Sequence, residues 1–300
     1  MAKYLNYIIT FITGAVISLM VICNTELGKA TTNEVSLIIN QITVIVLLTI
    51  ILSVGRKNVK INPKREKAPW YMYFGGLFGI VIMIFNFYTV LNIGATLAMA
   101  TAVFGQSAIG LVMDLTGFMG VQKRKISKLK WLSLAISFIG ILVMSIFSDG
   151  SFKLLYILMG TAAGVITMIQ MVYNSSFAKK KGALFSARQN VISGLGGVLI
   201  YAAILYPSAT LEGFTHLPSV PFYLIIGGGT LACFVVSSTN IIIPKIPAVY
   251  SALLLSSGQI LASLLLDKLL YNTFSVALLV GTILMLLGMG GNFLAERRDS

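Results

Sequence analysis

Two ten-residue stretches set the same polar side chains at the same spacing. GQSAIGLVMD occupies 105–114 and GQILASLLLD occupies 258–267. Each has a Gly-Gln pair, seven intervening residues and an aspartate. A glutamine side chain brings two donors and one acceptor. It can line a wet cavity or clamp a neighbouring helix as polar glue. The glycine before it lets a backbone or a ligand come close. The carboxylate can anchor or gate a helix end, bind a proton or cation, or simply be solvated.

These groups stand in sequence made for lipid. The chain has 300 residues, 57% hydrophobic and 10% charged, against about 25% charge in soluble domains. Ten apolar runs lie near 4–23, 35–54, 70–92, 95–114, 131–147, 153–173, 184–206, 221–243, 247–267 and 274–294. Each is near the roughly 20 residues that cross a bilayer as a helix. Barrel strands would alternate over about ten residues. The fold class expected is therefore an all-α membrane protein with ten transmembrane helices. The first run reads as a retained span, since no small-residue cleavage site follows it.

Within this frame Gln106 and Gln259 fall near the middle of the fourth and ninth spans. Unpaired amides there cost several kcal/mol, on the order of a lost hydrogen bond in hydrocarbon. They must face protein or a cavity. Asp114 and Asp267 lie eight residues on, about 80° round the helix and about 12 Å along it. They cannot share one small contact with the glutamine of their own helix. Candidate partners are Lys123 to Lys125 for Asp114 and Lys268 for Asp267.

Basic residues set the topology. With the termini and the even-to-odd loops on one side, that side holds eighteen Lys and Arg, and the other holds Lys29, Lys153 and Lys268. Positive residues favour the cytoplasm, so both termini are expected there, in the plasma (cytoplasmic) membrane. The net charge of +13 then serves orientation on anionic lipid, not nucleic acid.

The chain also repeats itself. Gly14 and Asn24 match Gly164 and Asn174 at an offset of 150; Lys29, Ser36 and Asn40 match Lys179, Ser186 and Asn190. PWYMYFGG at 69–76 matches PFYLIIGG at 221–228 at 152, and the Gly-Gln frames match at 153. Two five-span repeats follow, 1–150 and 151–300, with the boundary near Asp149-Gly150. Five is odd, so the second repeat must be inverted. Inverted repeats suit alternating access, with a substrate site near the membrane midplane.

The paired Gly-Gln-x7-Asp frames, the Gly-x9-Asn of the first helix in each half and the Pro-aromatic-Tyr start of the third resemble the YdcZ-type family of the drug/metabolite transporter superfamily. The resemblance covers the whole chain as two fused family units. It implies a ten-helix transporter of small metabolites or drugs, with the fifth and tenth helices at the periphery, and no particular substrate. The copies differ where Glu26 faces Ser176 and Gln41 faces Val191.

Further polar residues could line a cavity: Asn86 and Tyr88 on the third span, Thr167, Gln170 and Tyr173 on the sixth, and Tyr250, Ser256 and Ser257 on the ninth. Asn24, Asn174 and Glu26, near span ends, could gate; helix C-capping is the alternative for the asparagines, and solvation for Glu26. Arg188 could snorkel or attract an anion. No acid or base falls at a span centre. A neutral, zwitterionic or aromatic metabolite is therefore favoured over a strong cation, and an organic or quaternary ammonium cation held by aromatic faces is the alternative.

The leading function is a secondary-active transporter; a non-transporting scaffold or sensor is the other class. Nothing supports an enzyme: His216 stands alone, Cys23 and Cys233 lie in apolar runs, and no catalytic group, metal cluster or cofactor motif occurs. The partners expected are the lipid bilayer and a small solute. A proton is the candidate coupling ion, and a homodimer is an open assembly.

Overall fold

The computed structural model describes residues 2–55, 67–120, 123, 127–147, 153–241 and 248–299. The basic residues 56–65, 124–125 and 245 and the Asp149-Gly150 boundary lie outside them, as do the side chains of Tyr250, Arg297 and Arg298. Every regular element among the described residues is helical. In order these are α1 (Ala2–Ala30), α2 (Asn33–Gly55), α3 (Gly76–Thr116), α4 (Lys128–Phe147), α5 (Leu154–Lys181), α6 (Ala183–Leu205), α7 (Pro207–His216), α8 (Phe222–Ile241), α9 (Ala248–Tyr271) and α10 (Val276–Asp299). Short 3-10 turns cover Trp70–Phe74, Phe118–Gly120 and Leu217–Ser219.

Nine helical runs among the described residues are long and apolar enough to cross a membrane. One, Trp70–Thr116, has 47 residues. A straight helix of that length would measure about 70 Å, more than twice the hydrocarbon core. It is not straight. Gly94 has φ 74° and ψ 166°, a conformation that only glycine takes without strain. The break separates two arms of α3, the third and fourth spans, where the sequence reading placed its gap between 92 and 95.

Two readings of helix ends change. The first and sixth spans run past 23 and 173, to Ala30 and Lys181, because nothing after Asn24 or Asn174 breaks a helix. The stretch after the seventh span holds α7, started by Pro207, whose ring suits a first helical position. Gly213 of α7 lies against Thr32 and Val35 at the start of α2.

Two compact units form, and each draws on both halves of the chain. The first comprises Met1–Leu19, Tyr88–Met168 and Ile242–Ser300; the second comprises Met20–Phe87 and Ile169–Ile241. In the first, Leu97, Val103, Ile141, Met144, Ile260 and Met285 share one core. There α4 and α10 cross where each glycine of the pair Gly140 and Gly281 faces the other's carbonyl: a Cβ would come within 2.9 and 2.7 Å of it. Small residues permit such close backbone approach. In the second unit, Val44, Leu48, Ala187 and Val191 form one cluster, and Leu37, Ile38, Ile80 and Val198 another.

Contacts inside each unit come in matched pairs. A side chain on Gly105 would overlap the Thr161 carbonyl, and one on Gly258 the Phe11 carbonyl. Gly14 abuts Leu255 and Gly164 abuts Ala102 in the same way. In the second unit Ser36 donates to the Asn24 carbonyl at 2.7 Å and Ser186 to that of Asn174 at 3.1 Å. Gly75 meets the Asn174 amide oxygen and Gly228 that of Asn24; Gly76 meets the Asn190 carbonyl and Gly229 that of Asn40. The third and eighth spans therefore correspond at an offset of 153. The offset of 152 read from sequence holds at Pro69 and Pro221, whose carbonyls accept the N–H of Met72 and Leu224, and it slips by one at the glycines, because Gly227, Gly228 and Gly229 are indistinguishable by type.

Candidate functional site

The Gly94 break leaves backbone groups without helical partners on both sides. Asp267 of α9 supplies one set. Its two carboxylate oxygens accept the Ala95 and Thr96 N–H groups at 3.0 and 2.6 Å, so it caps the second arm of α3 from another helix. Negative charge suits a helix N-terminus. Lys153, just before α5, supplies the other, donating to the Asn92 carbonyl at 2.6 Å. A positive charge suits the C-terminal end it meets. Asp267 is 2% exposed, and these two N–H groups give its buried oxygens hydrogen-bond partners. Lys268, the partner expected from sequence, has its ammonium 5.2 Å from the Phe274 ring.

Asp114 does something else. It closes the second arm of α3 and pairs with Lys130 of α4 at 3.0 Å. The Lys130 side chain is 2% exposed. This lysine, expected as a solvated topology marker, is half of a sheltered ion pair. The two matched aspartates therefore hold helix ends by different chemistry.

The matched glutamines also differ. Gln259 is buried, with its side-chain N–H toward the Met99 sulfur at 3.2 Å, and its backbone carbonyl accepts the Ser18 hydroxyl at 2.7 Å. Gln106 is half-buried and makes no side-chain hydrogen bond among the described residues. The position matching Met99 is Ala252, and that matching Ser18 is Met168. Neither can offer what Gln259 receives.

In the second unit the polar residues tie helices together. The Asn24 amide oxygen accepts from Asn40 at 2.9 Å. Asn24 and Asn174 lie inside α1 and α5, so they do not cap those helices. Gln170 donates to the Gly75 carbonyl at 3.0 Å, Gln189 to that of Tyr73 at 3.3 Å, and the Tyr173 hydroxyl to that of Tyr71. Three side chains of α5 and α6 thus hold the 3-10 turn before α3. The matching positions Met20, Ile39 and Cys23 cannot serve as equal donors. Asn86, on the first arm of α3, keeps a buried amide oxygen without a partner. Glu26 pairs with Lys29 at 2.7 Å near the end of α1. Tyr88 is partly exposed, and Ser257 is half-buried on α9.

Sequence reading passed over two residues. Glu34, in the first turn of α2, is 5% exposed and receives the Tyr201 hydroxyl at 3.4 Å. Its place at a span end resembles that of a solvated acid, but Tyr201 of α6 reaches it. Lys153 was read only as one of the few outer lysines. A glycine between two abutting apolar runs was the signal that charged helix-end partners were needed.

Comparison with known proteins agrees with the architecture. A crystal structure described only as that of a protein covers 96% of this chain and 98% of its own, with a TM-score of 0.55 and 16% identity; this is a likeness of fold alone. No curated protein matches the chain. One family model, "Putative inner membrane exporter, YdcZ", matches twice, over residues 5–143 and 155–290. With a span-rich helical fold and nearly the whole length matched in two segments, the chain belongs to this YdcZ family of inner membrane exporters and is a multi-pass membrane transporter made of two of its units.

Proposed function

We propose that the protein is a secondary-active transporter that moves a small organic solute by alternating access. Its two inverted five-span repeats are residues 1–150 and 151–300, and both termini face the cytoplasm. The observation that carries this reading is the paired contacts of the two halves, Gly105 on Thr161 with Gly258 on Phe11 and Gly14 on Leu255 with Gly164 on Ala102. Gln259 is buried, while Gln106 is half-buried and makes no side-chain hydrogen bond among the described residues. In an inverted-repeat carrier the halves hold different conformations and exchange them. Gln106 in the first unit and Asn86 in the second are each proposed as a solute contact. Gln259, Tyr88, Tyr250 and Ser257 are proposed as further solute contacts.

Gln170 and Tyr173 act at the 3-10 turn, and Asn24, Asn174, Glu26, Asp114 and Asp267 act as gates. A neutral, zwitterionic or ring-bearing solute fits best, because the acids of the described spans lie at span ends. A thermal-shift screen of the purified protein against metabolites and quaternary amines selects a solute. Its flux into proteoliposomes then tests the site. Gln106→Ala and Gln259→Ala are each expected to lower flux at least tenfold; wild-type flux in both removes the glutamines from the route. If protons couple, Asp114→Asn or Asp267→Asn shifts the acid dependence of flux, and unchanged profiles in both exclude these two carboxylates as carriers.

A further inference from the structure

The aromatic residues of the second unit are distributed unequally between the repeats. Around the start of α3 the Tyr173 ring lies 5.6 Å from Phe78 and 6.4 Å from Tyr71, centre to centre. Behind them Tyr73 meets Phe177 at 4.9 Å and Phe185 at 6.4 Å. At the offsets set by the paired contacts, the residues matching Tyr173, Phe78, Phe177 and Phe185 are Cys23, Leu231, Leu27 and Val35. None is aromatic. A membrane-interface belt does not account for this. Belts occur at both interfaces, and the belt position here is matched: Trp70 is 76% exposed and its counterpart Tyr223 is 69% exposed.

The front three rings are not sealed in a core. Tyr71 is 48% exposed, and Tyr173 and Phe78 are half-buried. The rear layer contains fully buried Phe177 and fixes Tyr73. The Tyr173 hydroxyl is held by the Tyr71 carbonyl, and Gln170 and Gln189 hold the same turn. The ring faces are thus presented on a braced backbone. Seven residues beyond Gly79, which lies beside Gln170, Asn86 falls on the same face of α3, about 20° away and about 10 Å deeper. Its amide oxygen lacks a donor.

We propose that Tyr71, Phe78 and Tyr173 form a receiving wall for solutes with a flat aromatic ring, and that Asn86 is the acceptor such a solute meets next through a ring-borne N–H. This rests on the transport reading and gives it a substrate class. Offset or edge-to-face stacking on the wall supplies recognition. The other repeat lacks a matching wall, so the two ends of the route bind the solute unequally. The carrier collects it at the α3 end.

The test uses the full chain in lipid nanodiscs and 6-aminoquinoline, a fluorescent flat amine, with cyclohexylamine as the ring-free comparison. Wild type is expected to bind 6-aminoquinoline, and cyclohexylamine is expected not to displace it. Tyr173→Leu and Phe78→Leu should each raise Kd about tenfold, the scale of one lost aromatic pair. Tyr173→Phe keeps the ring, loses the hydroxyl and should stay within about twofold by the same stacking argument. No binding by wild type, equal binding by both leucine variants, or displacement by cyclohexylamine overturns the wall. If the leucine variants do not fold, photolabelling of wild type with 6-azidoquinoline decides: label within 71–78 or 170–177 supports it, and label elsewhere overturns it. Flux is a separate readout. Binding as expected without flux of 6-aminoquinoline into proteoliposomes rejects transport and leaves the wall standing.

Discussion

At the scale of single residues, identical side chains at matched positions do unlike work. Asp267 caps the arm after the Gly94 break by two hydrogen bonds, each worth about 1.5–3 kcal/mol where the carboxylate is charged. Asp267→Ala strands two buried N–H groups. It should lower the melting temperature of the detergent-purified protein by several degrees, more than Gln106→Ala, which breaks no bond to a described residue. Equal shifts in thermal unfolding would remove the cap from the stability account. Lys130→Met should also destabilise, by about 1–3 kcal/mol because the Asp114 carboxylate is partly exposed, and Asp114→Asn in the same chain should recover part of the loss. The sequence showed that these polar residues matter and roughly where they lie. It did not show their partners, because Lys130, Lys153 and the Ala95 and Thr96 amides become neighbours only through tertiary packing. Lys123 and Lys268 were nearer along the chain, and chain proximity misled.

Among helices, glycine decides which surfaces meet. Gly105 and Gly258 sit where a Cβ would overlap a carbonyl of a facing helix. Gly105→Ala and Gly258→Ala should each cost about 3 kcal/mol or more through overpacking. Gly196 in α6 and Gly290 in α10 have nothing within 4 Å of a built Cβ. Alanine there should stabilise by about 0.5–1 kcal/mol through helix propensity. Thermal unfolding of the four variants should split them into two groups of opposite sign. Span positions were legible because lipid demands long apolar runs. Even the Gly94 gap was readable as a lapse between 92 and 95. The helix ends at Ala30 and Lys181 were not, since polar residues continue a helix beyond the bilayer without changing its backbone bonds. α7 was hidden because its mixed sequence has no long apolar run.

For the whole molecule, the duplication was legible and the spatial grouping was not. Each compact unit gathers corresponding pieces of both halves, which a linear repeat cannot reveal. The inverted topology predicts opposite faces for Lys67, before α3, and Thr215, in α7, both exposed. Single cysteines at these sites, in a chain with Cys23 and Cys233 replaced, should react from opposite sides of right-side-out vesicles with a membrane-impermeant maleimide. Labelling from the same side would remove the inversion. Covalent fusion of the two repeats has its own consequence, visible in the Asp114–Lys130 pair and its unlike counterpart at Asp267. In a dimer of one five-span polypeptide, every substitution would be made twice, and a lysine useful at one end would be imposed at the other. A single polypeptide escapes that constraint, so each end can be tuned by mutation without altering its twin.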